Sequence, residues 1–148
     1  MEIRMKALLI IDIQNDYFKG GNCELVNPEI ASANAKKLLE KFREKNMPVF
    51  HIQHFSIREN ATYFLPNTNG VLIHETVKPL ENEKVIFKNF PNSFSKTTLL
   101  NELKKQNIKE LVICGMMTHM CIDTTTRAAF DFGFDCIVAY DSCCTKDL

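Results

Sequence analysis

Three side chains with catalytic chemistry each stand at or just beyond the end of an apolar segment: Asp12, Lys88 and Cys121. A carboxylate can accept a proton, an ammonium can stabilise negative charge, and a thiol becomes a nucleophile when it loses its proton. A thiol with the reference pKa of about 8.5 is mostly protonated at neutral pH, so it needs a base or a cation beside it. Brought together by the fold, these three groups can form the site of a nucleophilic hydrolase.

Each of the three residues also has a purely structural interpretation. Free cysteines are often small buried apolar residues, Asp12 can accept backbone N–H groups at the start of a loop, and Lys88 can be an exposed residue at the end of a short strand. The predicted position of Cys121 favours a reactive thiol. If a helix begins at Thr118, Cys121 lies in its first turn, where unpaired N–H groups and the helix dipole stabilise a thiolate.

The elements that must position these residues alternate between strands and helices. Strands are predicted from five short apolar segments: 5–13, 49–55, 84–88, 111–115 and 136–140. Helices are predicted to begin after the N-cap Asn27, near Leu99 and at Thr118, and the last of them runs to Phe132. This order predicts an α/β fold: a Rossmann-like domain of three layers, with a mostly parallel central sheet and helices on both faces. Since ligands of such sheets bind beyond the carboxyl ends of the strands, the candidate residues should share one rim.

Composition and charge exclude several classes of protein. The 148 residues are 45% hydrophobic and 24% charged, which fits one globular domain over 1–148. Eighteen basic residues balance eighteen acidic ones, which gives no electrostatic reason to bind nucleic acid or an anionic membrane. No apolar run approaches the roughly 18 residues of a membrane span, and the first residues lead into a strand rather than a signal peptide. Six cysteines without the spacing of a disulfide scaffold predict a reduced, cytoplasmic protein.

Four segments of the chain resemble, in order, motifs of the isochorismatase-like cysteine hydrolases. They are 11–18 (IDIQNDYF), Lys88 with 92–94 (NSF), 115–129 (GMMTHMCIDTTTRAA) and 141–145 (DSCCT). One such segment would be a weak signal, but four in family order over essentially the whole chain are specific. The resemblance implies a single isochorismatase-like hydrolase domain over 1–148.

The resemblance also implies roles for individual residues. Asp12, Lys88 and Cys121 match the family's catalytic triad. A non-proline cis peptide between Met116 and Met117 would direct the Met117 N–H to the same point as the Cys121 N–H, which would form an oxyanion hole. The candidate substrate-binding residues are Gln14, Phe18 and His54.

The reaction implied by the resemblance is hydrolysis of the C–N bond of a small-molecule amide through a thioester, without a cofactor. Nicotinamidases of the family carry a D-x-H metal motif after the second strand, whereas the segment 56–83 contains no Asp. We therefore predict no metal site. His51, His54 and His74 are then core, substrate-contacting or surface residues.

Other functions stay open at this stage. The branch of the family that hydrolyses the enol ether of isochorismate can lack the cysteine, so Cys121 favours an amidase over this ether hydrolase. The six cysteines, which include the adjacent Cys143 and Cys144, can also serve a non-hydrolytic thiol redox protein. An α/β interaction module without catalysis is a further alternative.

Two expectations concern what surrounds the domain. The family usually continues past the fourth segment into another helix and a sixth strand, and an apolar fifth strand at a sheet edge would promote aggregation, so we expect the chain to be incomplete at Leu148. The segment 56–83 carries apolar residues that must pack on their own domain or on a neighbouring subunit. These are Tyr63, Phe64, Leu65, Val71, Leu72 and Ile73. Together with the resemblance, they predict a homo-oligomer, a dimer or larger.

Overall fold

The computed structural model describes residues 5–147, so the ends of the predicted domain, 1–4 and 148, lie outside the described residues. The strands of its sheet are β1 (Met5–Ile11), β2 (Val49–His54), β3 (Lys84–Lys88), β4 (Ile108–Met116) and β5 (Asp135–Cys144). The α-helices are α1 (Pro28–Glu44), α2 (Leu99–Lys105) and α3 (Asp123–Asp131). Strands and helices alternate as predicted, and the connection from β2 to β3, where no helix was predicted, contains no described α-helix.

The sheet has the strand order β3-β2-β1-β4-β5, and every neighbouring pair is parallel. The chain moves outward from β1 in one direction, then returns to add β4 on the other side. The strand order therefore reverses at β1, and a ligand crevice is expected beyond the carboxyl ends of β1 and β4. The α/β prediction is confirmed, with a sheet that is wholly parallel where a mostly parallel one was predicted.

Helices cover both faces of the sheet, which confirms the three layers. Leu8 and Ile10 of β1 pack in one apolar cluster with the buried side of α1. Leu9 and Ile11 point to the other face, where they pack in a second cluster with residues of α2 and α3. Because successive side chains of a strand alternate between faces, a central strand needs apolar residues at every position.

Helix α1 begins near its predicted start but without the predicted cap. Pro28 occupies the first turn, where its missing N–H costs no hydrogen bond. Asn27 has a left-handed backbone (φ 52°) and its side chain makes no capping hydrogen bond. Asn27 therefore occupies the predicted N-cap position, but its side chain does not cap the helix, since capping side chains normally project from a residue with β-region backbone angles.

Two strands are longer than predicted because of their pairing partners. β4 begins at Ile108, where it pairs with Met5 of β1. β5 continues to Cys144, and after a register shift Cys143 and Cys144 pair with the end of β4. Most of the fourth family-like segment therefore lies within β5 and not after it.

The helix predicted over 118–132 is divided into two pieces. A π-helical turn spans Thr118–Ile122, and the Ile122 N–H donates to the Met117 carbonyl at 3.3 Å. The α-helix α3 follows from Asp123. Cys121 therefore lies in a π turn, a feature that often occurs at functional sites, and not in the first turn of a regular helix.

The segment 56–83 packs on its own domain. Phe64, Val71 and Val77 are 1%, 3% and 0% exposed, and Ile73 forms a bridge with Gln14. Only Leu72, of the six apolar residues named above, is an exposed side chain. These residues therefore give no independent reason to expect a neighbouring subunit.

Strand β5 forms one edge of the sheet, and its Ile137 and Tyr140 are 57% and 85% exposed. The apolar edge strand predicted from the sequence is thus present. None of the helices described in residues 5–147 is long and apolar enough to cross a membrane.

Candidate active site

The candidate catalytic residues converge beyond the carboxyl ends of four neighbouring strands. Asp12 directly follows β1, His54 and Lys88 are the last residues of β2 and β3, and Cys121 lies in the π turn after β4. Gly115 makes this convergence possible. It has φ 129°, and a Cβ there would collide with the Ile11 carbonyl, so β4 can run this close to β1 only with glycine.

The Lys88 ammonium joins the proposed base and nucleophile. Its Nζ lies 2.9 Å from Asp12 Oδ2 and 3.3 Å from Cys121 Sγ. Asp12, Lys88 and Cys121 are 0%, 1% and 6% exposed. The structure therefore brings the three predicted residues into mutual contact in a site largely closed to water.

Lys88 has more acceptors around it than protons to donate. Besides Asp12 and Cys121, its Nζ contacts His54 Nδ1 at 2.7 Å and donates to the Phe90 carbonyl at 3.0 Å. An ammonium has three N–H groups and no acceptor. The four groups therefore compete for three protons. One N–H of Lys88 can point to Asp12 or to Cys121, whichever carries the negative charge.

The electrostatics of Cys121 differ from the sequence expectation. Burial raises the pKa of the Cys121 thiol above its usual range, the negative charge of Asp12 raises it further, and Lys88 only partly opposes them. These effects favour the protonated thiol over the expected thiolate. Cys121 therefore needs a base when it reacts, and Asp12 is beside it.

Gln14 is a positioning residue in this structure. Its Nε2 donates to the carbonyls of His54 (2.9 Å) and Val71 (2.7 Å), and its Oε1 accepts the His54 N–H at 2.8 Å. Both amide protons are therefore used within the protein, and Gln14 is fully buried. Its side chain joins the segment after β1 to the last residue of β2 and fixes the backbone of His54.

The other two predicted substrate-binding residues differ in their surroundings. Phe18 is buried and stacks on the His74 ring, with 3.6 Å between centroids. His54 is half-buried and contacts Lys88. Burial first, then the charge of Lys88, lowers the pKa of His54 to about 4, so this ring is neutral at pH 7. Substrate contact by Phe18 and His54 stays a prediction.

Sequence reasoning missed Tyr17 and Asp16. Tyr17 is 2% exposed and its ring lies 4.7 Å from that of Phe64; burial, then the charges of Asp12 and Cys121, raise its pKa. Asp16 accepts the Phe64 N–H at 2.7 Å and so holds the segment 56–83 against the site. Both stand in the first family-like segment, but nothing in its spacing indicated their contacts with Phe64.

The backbone before the nucleophile has the conformation implied by the resemblance. The peptide between Met116 and Met117 is cis. The donation of the Met117 and Cys121 N–H groups to an oxyanion stays a prediction.

The donor atoms of the site do not fit a metal ion. Asp12, His54 and Cys121 each offer one ligand atom, and these atoms lie within 4.8 Å of one another. The Lys88 ammonium, however, contacts all three residues at 2.7–3.3 Å. A metal ion there would face a buried cation at close range, which is strongly repulsive.

Comparison with known proteins gives consistent results. The Isochorismatase domain model matches residues 6–148. The uncharacterized isochorismatase family protein YddQ of Bacillus subtilis is 55% identical over 142 residues, which cover 96% of this chain and 79% of that protein. Among solved structures, an isochorismatase hydrolase from Oleispira antarctica is 46% identical in sequence and has a TM-score of 0.94. The match covers 100% of this chain and 80% of that chain.

More distant relatives carry more specific names. A streptothricin hydrolase of Streptomyces noursei is 28% identical over 97% of this chain and 51% of its own. Nicotinamidase 3 of Arabidopsis thaliana is 28% identical over 96% of this chain and 74% of its own. The domain match and the 55% identity to YddQ are sufficient to assign a family. The chain belongs to the isochorismatase family of hydrolases.

Proposed function

We propose that the protein is a cysteine-dependent hydrolase that cleaves the C–N bond of a small-molecule amide through a thioester. One observation carries this proposal: the Lys88 ammonium lies 2.9 Å from a carboxylate oxygen of Asp12 and 3.3 Å from the sulfur of Cys121. A base, a cation and a nucleophile in mutual contact are the minimal set for this chemistry.

The first step forms the tetrahedral intermediate that precedes the thioester. Asp12 takes the proton of Cys121, and the negative charge passes from oxygen to sulfur while Lys88 stays in contact with both. The sulfur bonds to the amide carbon, and the carbonyl electrons move onto oxygen. The N–H groups of Met117 and Cys121 hold this oxyanion, an effect worth about 3–4 kcal/mol per donor in a comparable enzyme.

The remaining steps release the products and restore the site. The C–N bond breaks as Asp12 returns its proton to the leaving nitrogen, and an amine or ammonia departs. Asp12 then takes a proton from water, whose oxygen attacks the thioester carbon. The C–S bond breaks, the proton returns to sulfur, and one amide and one water have become a carboxylic acid and an amine.

The names of two relatives support an amide over an ether substrate. A nicotinamidase and a streptothricin hydrolase are among the proteins similar to this chain. The presence of Cys121 beside Asp12 and Lys88 agrees with a nucleophilic mechanism, whereas the ether-cleaving branch of the family can lack the cysteine.

The test is release of ammonia or amine from a panel of small amides. Native protein should hydrolyse at least one of them, Cys121→Ala should have lost the activity, and Cys136→Ala should retain it, because Cys136 pairs with Leu111 far from the carboxyl ends of the strands. Activity unchanged in Cys121→Ala would rule out the proposed mechanism. Turnover of isochorismate by that variant would instead establish the ether hydrolase.

Assembly and location rest on the resemblance and on the cysteines. We propose a homo-oligomer, which light scattering after gel filtration should detect as a dimer or larger at micromolar concentration. A fully active monomer would contradict the proposed homo-oligomer.

A cytoplasmic location stays a prediction. All six cysteines are free thiols in this structure.

A further inference from the structure

We propose that His54 selects the substrate: its Nε2–H donates to a hydrogen-bond acceptor beside the scissile carbonyl, so the favoured amides carry a second carbonyl or a carboxylate there. This inference rests on the proposed function for the identity of the scissile bond. It makes His54 a specificity-determining residue with a fixed tautomer.

The tautomer follows from the contact with Lys88. The distance between Lys88 Nζ and His54 Nδ1 is 2.7 Å, a short hydrogen bond. An ammonium can only donate, so Nδ1 must be the acceptor. A neutral imidazole carries one proton, which therefore resides on Nε2. The lowered pKa of His54, about 4, agrees with a neutral ring.

The orientation of the ring is fixed from two sides. Gln14 holds both the N–H and the carbonyl of His54, at 2.8 and 2.9 Å. The ring itself lies beside Phe64, with 5.7 Å between centroids. With Nδ1 directed at Lys88, the geometry of the imidazole determines the position of Nε2. The ring cannot rotate without losing the hydrogen bond to Lys88.

The Nε2–H of His54 is available to a ligand. Among residues 5–147, Nε2 has no hydrogen-bond partner and is not fully buried, so solvent or a ligand can reach it. Asp12, Lys88 and Cys121 are all at most 6% exposed, whereas His54 is half-buried. His54 is thus the most accessible member of the cluster.

The distance between the His54 ring and the Cys121 sulfur defines which part of the substrate His54 can contact. One of the two ring nitrogens of His54 lies within 4.8 Å of Cys121 Sγ and of an Asp12 oxygen, and the imidazole is small enough that Nε2 is near the nucleophile in either case. When Sγ approaches the amide carbon, an atom one or two bonds from that carbon comes within reach of the ring. An imidazole that accepts from a cation is a stronger donor, and the positive charges of Lys88 and Arg58 near the ring oppose the negative charge of Asp12. These features favour an oxygen acceptor.

The chain allows matched substitutions that separate the two ring nitrogens. In His54→Asn the amide oxygen can accept from Lys88 at the position of Nδ1, but no donor replaces Nε2–H. In His54→Gln an amide N–H can reach the position of Nε2, but nothing accepts from Lys88 at Nδ1.

The experiment measures binding in a Cys121→Ala background, which cannot turn over its ligand. The probes are oxamate, pyruvamide and propionamide, in which the group beside the scissile carbonyl is a carboxylate, a carbonyl and a methylene. We expect oxamate and pyruvamide to bind about 10-fold or more tightly than propionamide. His54→Asn should remove this preference and His54→Gln should retain it.

Nitrogen NMR of the histidine ring supplies an independent measurement. The native protein at pH 7 should show a protonated Nε2 and an unprotonated Nδ1 at His54. A protonated Nδ1, equal binding of the three amides, or no measurable binding of any would overturn the inference. If instead native protein and Cys121→Ala hydrolyse amides equally, the proposed function fails while the tautomer and the binding preference can still hold.

Discussion

Two groups of ionisable residues lie at opposite ends of the sheet, and their carboxylates differ in how completely they are hydrogen-bonded. The site cluster, beyond the carboxyl ends of the strands, consists of Asp12, His54, Lys88 and Cys121. The base cluster, towards the other end, consists of Arg43, His51 and Glu83, and Glu83 directly precedes β3. Each cluster pairs a carboxylate with a cation and a histidine.

The carboxylate of the base cluster has a full set of partners. Glu83 accepts hydrogen bonds from Arg43 Nε (2.7 Å) and Nη2 (2.8 Å), from His51 Nε2 (2.9 Å) and from the Leu80 N–H (2.9 Å). Burial alone would raise the pKa of Glu83, but these hydrogen bonds outweigh it and lower the pKa to about 2. Such a carboxylate stays ionised and holds its neighbours in place.

The carboxylate of the site cluster lacks such partners. Asp12 forms its ion pair with Lys88 at 2.9 Å, but neither of its oxygens accepts a well-aligned hydrogen bond among the residues that the structure describes. Buried polar atoms are usually satisfied, and exceptions are often functional. A carboxylate with an uncommitted lone pair beside a protonated thiol can act as a base, whereas Glu83 cannot do so without losing its hydrogen bonds.

The largest difference between the clusters should appear in catalysis. Asp12→Asn removes the proposed base, so kcat/KM for an amide substrate should fall by about 10³-fold. Glu83→Gln should leave kcat/KM within about threefold, because Glu83 contacts none of the reacting groups. Steady-state kinetics on both variants measures this, and similar losses in the two would remove the distinction between the clusters.

The base cluster should matter more for the stability of the fold than for catalysis. Glu83→Gln removes a charged acceptor that binds Arg43 and His51, which should lower the free energy of unfolding by about 2 kcal/mol, roughly 30-fold in the unfolding equilibrium. Glu81→Gln is the matched control, since Glu81 is an exposed carboxylate two residues away, and it should change stability by less than about 0.5 kcal/mol. Urea unfolding of both variants tests this; equal effects would mean that the base cluster does not stabilise the fold.

The reactivity of Cys121 should respond in opposite directions to its two neighbours. Because Asp12 raises the pKa of this thiol and Lys88 lowers it, Asp12→Asn should speed alkylation of Cys121 at pH 7 and Lys88→Met should slow it. Each effect should be about 10-fold if the pKa moves by one unit. Mass spectrometry of iodoacetamide-treated protein measures the rates. Changes of the same sign in both variants would contradict the assigned charges.

The smallest effect concerns pH. Burial lowers the pKa values of both His51 and His54, the latter to about 4. The unfolded chain therefore binds more protons than the folded one between about pH 6.5 and 4, so stability should fall as the pH is lowered through this range. His54→Asn should reduce that fall by about 1 kcal/mol, since the half-exposed ring is partly screened. Unfolding curves at pH 7 and pH 4.5 provide the measurement; an unaltered slope would contradict a neutral His54.

Much of the fold could be predicted from local patterns in the sequence. Apolar runs of strand length alternate with helical stripes, and parallel strands joined by helices place all their carboxyl ends at one edge. That rule alone was sufficient to bring Asp12, Lys88 and Cys121 to one rim. The resemblance added the cis peptide between Met116 and Met117, which local patterns do not indicate.

Contacts between residues distant in the sequence had to come from the tertiary structure. The length of β5 depends on its pairing with β4, and the burial of Phe64 depends on Asp16, 48 residues away. The hydrogen bonds of Gln14 join it to His54, 40 residues away. No local pattern encodes such pairs, so Gln14 was predicted to bind substrate although its amide protons are used within the protein.

The sequence by itself determined which chemical groups meet at the site, because strand ends are encoded locally and the topology follows from the order of elements. Only the tertiary structure decided their environments: the burial that raises the pKa of the Cys121 thiol, the burial and the Lys88 charge that lower the pKa of His54, and the unpartnered oxygens of Asp12. The physical reason is that a protonation state depends on burial and on the charges within a few ångströms, and both are set by the packing of segments that lie far apart along the chain.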